Sequence, residues 1–482
     1  MVEIVEDVEI VFFLRCLRFL LLKPLNMIIL AIDTSCDDTS IAILKIKDLR
    51  FKILSNIVSS QVKLHAKYGG VYPTLAKREH QKNLIPVLIQ SLKGAKLLKT
   101  KKQNSKLPVV HTQQSKIRNL EKILEREPDL LKNLAKFLKR YEKPEIDLIS
   151  VTIGPGLEPC LWTGVNFAKA LSYFWNLPII PINHIEAHIF ANLLPQIRSK
   201  STTAHFQWAG LPSPYPRAVA KINHSPFSMG WVAQPLSKGC GKNQKSKIKF
   251  PAICLVVSGG HTQLILMRGL GKYKILGETR DDAAGECLDK VARILELPYP
   301  GGPVIEKLSK TSGTRRAGVK PKTYKIELPR PMISQKNFDF SFSGLKTAVL
   351  YRVKGERFKV KDKRYIREMC QEVQQAIIDV LISKTLKAAK KYQAKTIILG
   401  GGVAANNELR KQFNYKLKTT RLPAPRAQAS GGQVNYKLNF LVPPKNLCTD
   451  NAAMVGLTAY FHHLKREDQN WQKILVNANL RI

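Results

Sequence analysis

The chain has 482 residues, 44% of them apolar, with 78 Lys and Arg against 36 Asp and Glu, a formal charge of +42. So many apolar residues exclude a disordered polycation, and the charge predicts an anionic partner such as nucleic acid. Eight scattered cysteines without a C-x-x-C pair argue against a zinc ribbon or a disulfide framework, and for a reducing cytoplasm.

Residues 10–22 are strongly apolar but carry Arg15 and Arg18 and are too short to span a bilayer. The acidic residues before them do not suit a signal peptide. Residues 1–26 read as an extension or a misassigned start, because Met27 directly precedes a strand at 28–32. The segment Ile28 to Ile43 is an apolar run, a small polar turn and a second apolar run. Residues 252–266 repeat that plan around Ser258-Gly259-Gly260. Each reads as a β-hairpin, and the pair suggests a duplicated domain with a ligand between its halves. Between and after them lie strands at 148–153, 179–182 and 396–399. Helices follow near 163–174, at His184 to His188, and from Asn406. This alternation predicts an α/β protein.

Three basic stretches interrupt the pattern. Residues 95–145 are Lys-rich, with a helix expected around 117–141. Residues 196–250 contain nine Lys and Arg and no acid; residues 410–449 contain eight and no acid. They read as insertions.

His184-Ile-Glu186-Ala-His188 puts two imidazoles on one helix face, within reach of one metal ion. Glu186 lies about 200° around the helix from each, unlike the glutamate of a zinc-protease H-E-x-x-H motif. Asp450 is a candidate third ligand that spacing alone does not select. The glycine clusters at 258–260 and 400–402 suit a phosphate, the second by leading into a helix N-terminus. Asp282, Glu286 and Asp289 stand at helical spacing. They form either a solvated face with Lys290 or a set of acids holding sugar hydroxyls or a metal.

The ordered motifs are Thr34-Ser-Cys36-Asp37, His65 to His80, Gly154-Pro-Gly-Leu157, His184 to His188, Ser258-Gly-Gly-His-Thr262, Asp281 to Glu286, Tyr299-Pro-Gly-Gly-Pro303, Phe340 to Lys346, Gly401 to Asn406 and Cys448 to Asn451. Together they resemble the bacterial TsaD family of tRNA adenosine threonylcarbamoyltransferases, formerly called O-sialoglycoprotein endopeptidases. The resemblance implies two ribonuclease-H-like domains of the acetate kinase, Hsp70 and actin superfamily facing across a nucleotide cleft. The first would occupy 27–195, with an insertion at 95–145. The second would occupy 251–482, with an insertion at about 411–440, and the basic insertion 196–250 would separate them.

The same resemblance implies transfer of threonylcarbamoyl from threonylcarbamoyl-AMP to N6 of adenosine 37, in tRNAs reading codons that begin with A. It implies a divalent metal, Fe2+ or Zn2+, on His184, His188 and Asp450. Val256, Val257, Ser258, Gly259, Gly260, Asp289, Gly302 and Asn406 would hold the adenylate, with Glu306 near the ribose. Asp37 and Asp38 would stand at the reacting end. The implied partners are the tRNA anticodon stem-loop and TsaB-like and TsaE-like subunits, in the cytoplasm and without a membrane. Relatives usually read Glu-Thr-Ser-Cys-Asp-Glu-Thr where this chain has Asp33 and Asp38, so both carboxylates are one methylene shorter. Two rival readings are a metallopeptidase and a non-catalytic nucleotide- or RNA-binding scaffold.

Overall fold

A computed structural model describes residues 26–47, 50–101, 118–196, 248–310, 324–355, 362–419, 422–423 and 435–482. The expected N-terminal extension, the body of the 196–250 insertion and parts of the other two insertions lie outside the described residues.

Two five-stranded sheets share one plan. In the first, β1 (Asn26–Asp33) pairs antiparallel with β2 (Asp38–Lys47), and β2 with β3 (Arg50–Ser60). On its other side β1 pairs parallel with β4 (Leu148–Gly154), and β4 with β5 (Ile179–Asn183). The order is β3-β2-β1-β4-β5. In the second sheet β6 (Ala252–Val257), β7 (Thr262–Gly269) and β8 (Lys272–Glu278) form the antiparallel half. Strand β9 (Thr396–Gly400) and the edge strand Asn439–Leu441 continue it in parallel. The hairpins, the repeated sheet plan and the α/β layering expected from sequence are all present.

Strand alternation assigns the faces. Leu30 and Ile32 point to one core with α2 (Pro73–Gly94) and α4 (Glu158–Trp175), while Ile29 and Ala31 point to another. The 95–145 stretch completes the first of these cores. Leu120, Leu124, Leu130 and Leu134 are fully buried there, and α3 (Pro128–Arg140) presents an apolar stripe to α2. The expected helix over 117–141 is broken, because Glu127 leaves helical geometry, with φ −131° and ψ 59°, and Pro128 starts a new helix where its missing N–H costs nothing.

The opposite face of the first sheet is covered from the far end of the chain. Helix α11 (Ala452–Leu464) lays Leu457 and Tyr460 on that face, and Gly456 lets the helix approach Leu44 closely. Ser40 Oγ accepts from Ala452 N at 2.8 Å. The following segment returns along β4, with Asn477 N donating to the Ile153 carbonyl at 2.9 Å. Residues 452–460 thus bury their apolar side chains in the core of the first sheet. Across the second sheet, Ile253, Leu255 and Val257 face a core that includes α6 (Ala284–Ile294) and α9 (Lys363–Lys391).

Helix α5 (His184–Phe190) joins the two halves. Ile185 and Ile189, one turn apart, pack on the second sheet, and Ala187 and Phe190 pack on the first. That leaves His184 and His188 on a third face.

A candidate metal and nucleotide site between the two sheets

The Asn183 side chain caps α5 by accepting from Ile185 N at 2.8 Å and Glu186 N at 3.2 Å. The cap starts the helix at His184, so both imidazoles sit at the C-terminal end of the first sheet. Asp450 arrives from the loop before α11, whose N-terminus Asn451 caps by accepting from Met454 N at 3.2 Å. His184 Nε2 and His188 Nε2 lie 3.4 and 3.2 Å from Asp450 Oδ1. The three ligand atoms fall within 4.8 Å of one another. Both ring nitrogens of His188 and Nδ1 of His184 are buried without hydrogen bonds of proper geometry. Orphaned imidazole nitrogens beside a carboxylate fit a divalent cation, which would satisfy them.

The electrostatics agree. Asp33, at the end of β1, places Oδ2 at 3.6 Å from His184 Nδ1. Burial opposes a charge on His184, yet Asp450 and Asp33 carry its pKa up to about 10. Burial likewise opposes ionisation of Asp450, but the two imidazoles hold it well below the usual carboxylate range. Asp37 and Asp38 enter the same field. Burial raises both pKa values, with Asp450 repelling Asp37 and Asp37 repelling Asp38. Four carboxylates crowd two imidazoles here, and their mutual repulsion is what a divalent cation would relieve.

The loop carrying Asp37 is fixed by histidines that periodicity did not single out. His80 bridges Thr39 Oγ1 at 2.8 Å and the Cys36 carbonyl at 3.0 Å. His65 Nε2 lies 3.0 Å from Gln61 Oε1, and Gln61 N donates to the Asp37 carbonyl. Burial pushes the His80 pKa down to about 4, so folding favours the neutral ring. The stability this preference supplies is complete above pH 6.5 and is lost as pH falls toward 4, roughly 3 kcal/mol in all. Wild type should therefore lose urea resistance relative to His80→Gln between pH 7 and 4.5; parallel midpoints across that range would refute the assignment.

Glu186 turns away from the imidazoles, as its helical phase requires. Its carboxylate accepts from Tyr273 Oη at 2.8 Å and lies 2.8 Å from His462 Nε2. Although burial disfavours a charged His462, Glu186 and Glu467 raise its pKa. A peptidase would need a base beside the metal, and Glu186 is committed elsewhere.

The second half supplies a glycine cradle. The chain turns sharply after β6, with Ser258 N donating to the His261 carbonyl at 2.8 Å and His261 N to Ser258 Oγ at 3.1 Å. Gly259 and Gly260 are exposed, and a Cβ on either would meet no protein atom within 4 Å. The open side leaves room for a ligand to reach the backbone N–H groups. Val256 and Val257 bury their side chains in the two cores and can offer a ligand only backbone. His261 stands in the field of the triad: burial first, then His184 and His188, bring its pKa down to about 4. Gly400 presses against the His188 carbonyl, which joins cradle and metal cluster.

Asp289 on α6 accepts from Gly301 N at 2.7 Å, at the start of α7 (Gly301–Lys310), beside Gly302. Burial raises its pKa. It borders a cavity of about 110 Å³ lined by Ala66 and Gly69 from the first half and by Arg293 and Tyr299 from the second. The other acids are committed to structure. Asp282 precedes the helix and pairs with Lys290 and Lys346 at 2.5 and 2.9 Å, while Glu286 pairs with Lys290. Glu306 accepts from Asn407 N at 3.0 Å, at the start of α10 (Asn407–Thr419), and pairs with Lys310. Asn406 accepts from Leu409 N at 2.9 Å and donates to Gln374 at 2.8 Å. Both thus use polar atoms to cap α10.

Among the described residues, no helix is long and apolar enough to cross a membrane. The profile of the TsaD family, tRNA N6-adenosine threonylcarbamoyltransferase, matches residues 52–102, 125–201 and 237–457. The unmatched gaps fall within two of the basic stretches. A tRNA N6-adenosine threonylcarbamoyltransferase of Persephonella marina is 36% identical over 90% of this chain and 90% of its own. One from Thermosipho africanus is 37% identical over 90% of this chain and 94% of its own. Among solved structures, the ROK hexokinase from Thermus thermophilus is similar at 12% identity over 91% of this chain and 100% of that one, with a TM-score of 0.36. By the extent of the profile match and the identity to full-length relatives, the chain belongs to the tRNA N6-adenosine threonylcarbamoyltransferase family.

Proposed function

We propose that the protein transfers a threonylcarbamoyl group from threonylcarbamoyl-AMP to N6 of adenosine 37, in tRNAs reading codons that begin with A. The observation that carries this reading is the buried His184, His188 and Asp450 cluster, with His261 of the open glycine turn at 258–261 in its electrostatic field. The cradle's N–H groups receive the phosphate, and Asp289 with Gly302 lines the nucleoside side. Asn406 and Glu306 hold the neighbouring wall through α10. In the reaction the N6 nitrogen bonds to the carbamoyl carbon, the bond to the phosphate oxygen breaks and AMP leaves. Asp37 and Asp38, with raised pKa values, take up the proton that N6 releases. His184, His188 and Asp450 would hold Fe2+ or Zn2+, which supplies a Lewis acid for polarising an oxygen of the bound group. Asp33 stands behind the His184 ring, 3.6 Å from Nδ1, where it would favour the metal-bound imidazole.

TsaB-like and TsaE-like subunits are proposed as protein partners, in the cytoplasm where tRNA is modified. The three basic stretches carry more than half of the net charge and are proposed to hold tRNA phosphates. In the direct test, protein, tRNA transcript and threonylcarbamoyl-AMP are combined and the nucleosides analysed by mass spectrometry. Threonylcarbamoyladenosine at position 37 is expected. Its absence with metal-loaded protein and both partner subunits would overturn the proposal.

A further inference from the structure

Tyr68 and Tyr72 flank the Gly69-Gly70 turn and are 61% and 57% exposed. Their rings stack on each other, with centroids 6.1 Å apart and planes 24° from parallel. Among the described residues the other strongly exposed tyrosines, Tyr351 and Tyr415, are in no such pair. Two large rings held in water beside a site, with no protein over them, suit a planar partner better than a core.

The pair is tied to the candidate reacting loop. Tyr72 N donates to His65 Nδ1 at 3.3 Å, His65 contacts Gln61, and Gln61 N donates to the Asp37 carbonyl. From the other half of the molecule, Arg293 donates to the Gly69 carbonyl at 2.5 Å. Gly69 adopts a φ of +68°, and a Cβ there would press on Arg293. The turn is therefore clasped from both sides at the rim of the Asp289 cavity. The segment itself is basic: residues 61–78 hold Lys63, Lys67, Lys77 and Arg78 and no acid, with Lys77 also 3.8 Å from Glu127.

We propose that Tyr68 and Tyr72 form a stacking platform for an unpaired base of the RNA substrate, next to the adenosine that enters the site. The inference rests on the tRNA-modifying reading above. An aromatic face accepts any base, and the flanking cations hold the adjoining phosphates. A base splayed onto the platform would keep its neighbour out of the helical stack, which an acceptor adenosine needs in order to reach the donor.

The test uses the full chain with its partner subunits and an anticodon stem-loop RNA carrying 2-aminopurine beside the target adenosine. Tyr68→Ala/Tyr72→Ala should weaken RNA binding about tenfold or more, whereas Tyr68→Phe/Tyr72→Phe should stay within about twofold of wild type. Fluorescence of the probe base should be quenched by wild type and by the phenylalanine variant, and not by the alanine variant. The exposure of both rings predicts unchanged melting temperatures. Unaltered RNA affinity in the alanine variant would overturn the platform, as would a phenylalanine variant as weak as alanine. Loss of subunit assembly with RNA affinity intact would also overturn it, by assigning the rings to a protein. A failure of the function reading looks different, since wild type itself would then leave adenosine 37 unmodified.

Discussion

Replacing His188 with alanine is expected to strip the protein of its metal and to lower transfer at least about a hundredfold. The residue is fully buried, and both of its nitrogens are orphaned. Truncation removes a ligand and leaves Asp450 with one imidazole in place of two. Metal content, measured by plasma mass spectrometry, should fall from about one ion per chain to near zero. Glu186→Gln is the control: its carboxylate serves Tyr273 and His462, so metal content and transfer should stay near wild type. If His188→Ala retained metal and activity, the cluster would not be the metal centre.

Gly401→Ala should be among the most destabilising single-methyl changes in the protein. Gly401 has a φ of +87°, which L side chains rarely adopt. A Cβ would also stand 2.3 Å from the Val257 carbonyl oxygen, a backbone atom at the end of a central strand. Relief requires β6 and the loop after β9 to move apart, which spreads the cradle at 258–260. A loss of about 2–4 kcal/mol is expected from strain and overpacking together. Urea denaturation measures it, and a midpoint within experimental error of wild type would refute it. The same methyl at Gly259, where a Cβ meets nothing, should leave the midpoint nearly unchanged.

Local patterns in the sequence carried much of this architecture. Period-two alternation marked the two hairpins, and the small turn residues marked the cradle. The i, i+4 spacing paired His184 with His188, and helical phase turned Glu186 away. The rest depends on packing between distant segments. Asp450 joins the imidazoles only because α11 crosses back to the first sheet, and no spacing rule reaches over 262 residues. Asp33, His65, His80 and His261 lie in or beside the motifs, but which partner each meets is set only by the fold. Conversely, the helical spacing of Asp282, Glu286 and Asp289 suggested one acidic face. The extended Ala283 takes Asp282 off the helix, lysines pair with Asp282 and Glu286, and Asp289 alone remains at the cavity. The broken helix at Pro128 shows the same limit, since an apolar period continues across a residue that cannot sustain the hydrogen-bond ladder.

The return of α11 to the first sheet has a consequence for how the chain is made. Met27, Ile29, Ala31 and Leu44 are covered by residues 452–460, which leave the ribosome more than 400 residues later. Until then that face of the first sheet is covered only in part, by Ala187, Phe190 and Leu194. The N-terminal half cannot mature as an independent unit during synthesis, and closing so long a loop makes folding slow. The link that completes the metal cluster thus also delays completion of the first core until residues 452–460 have been made.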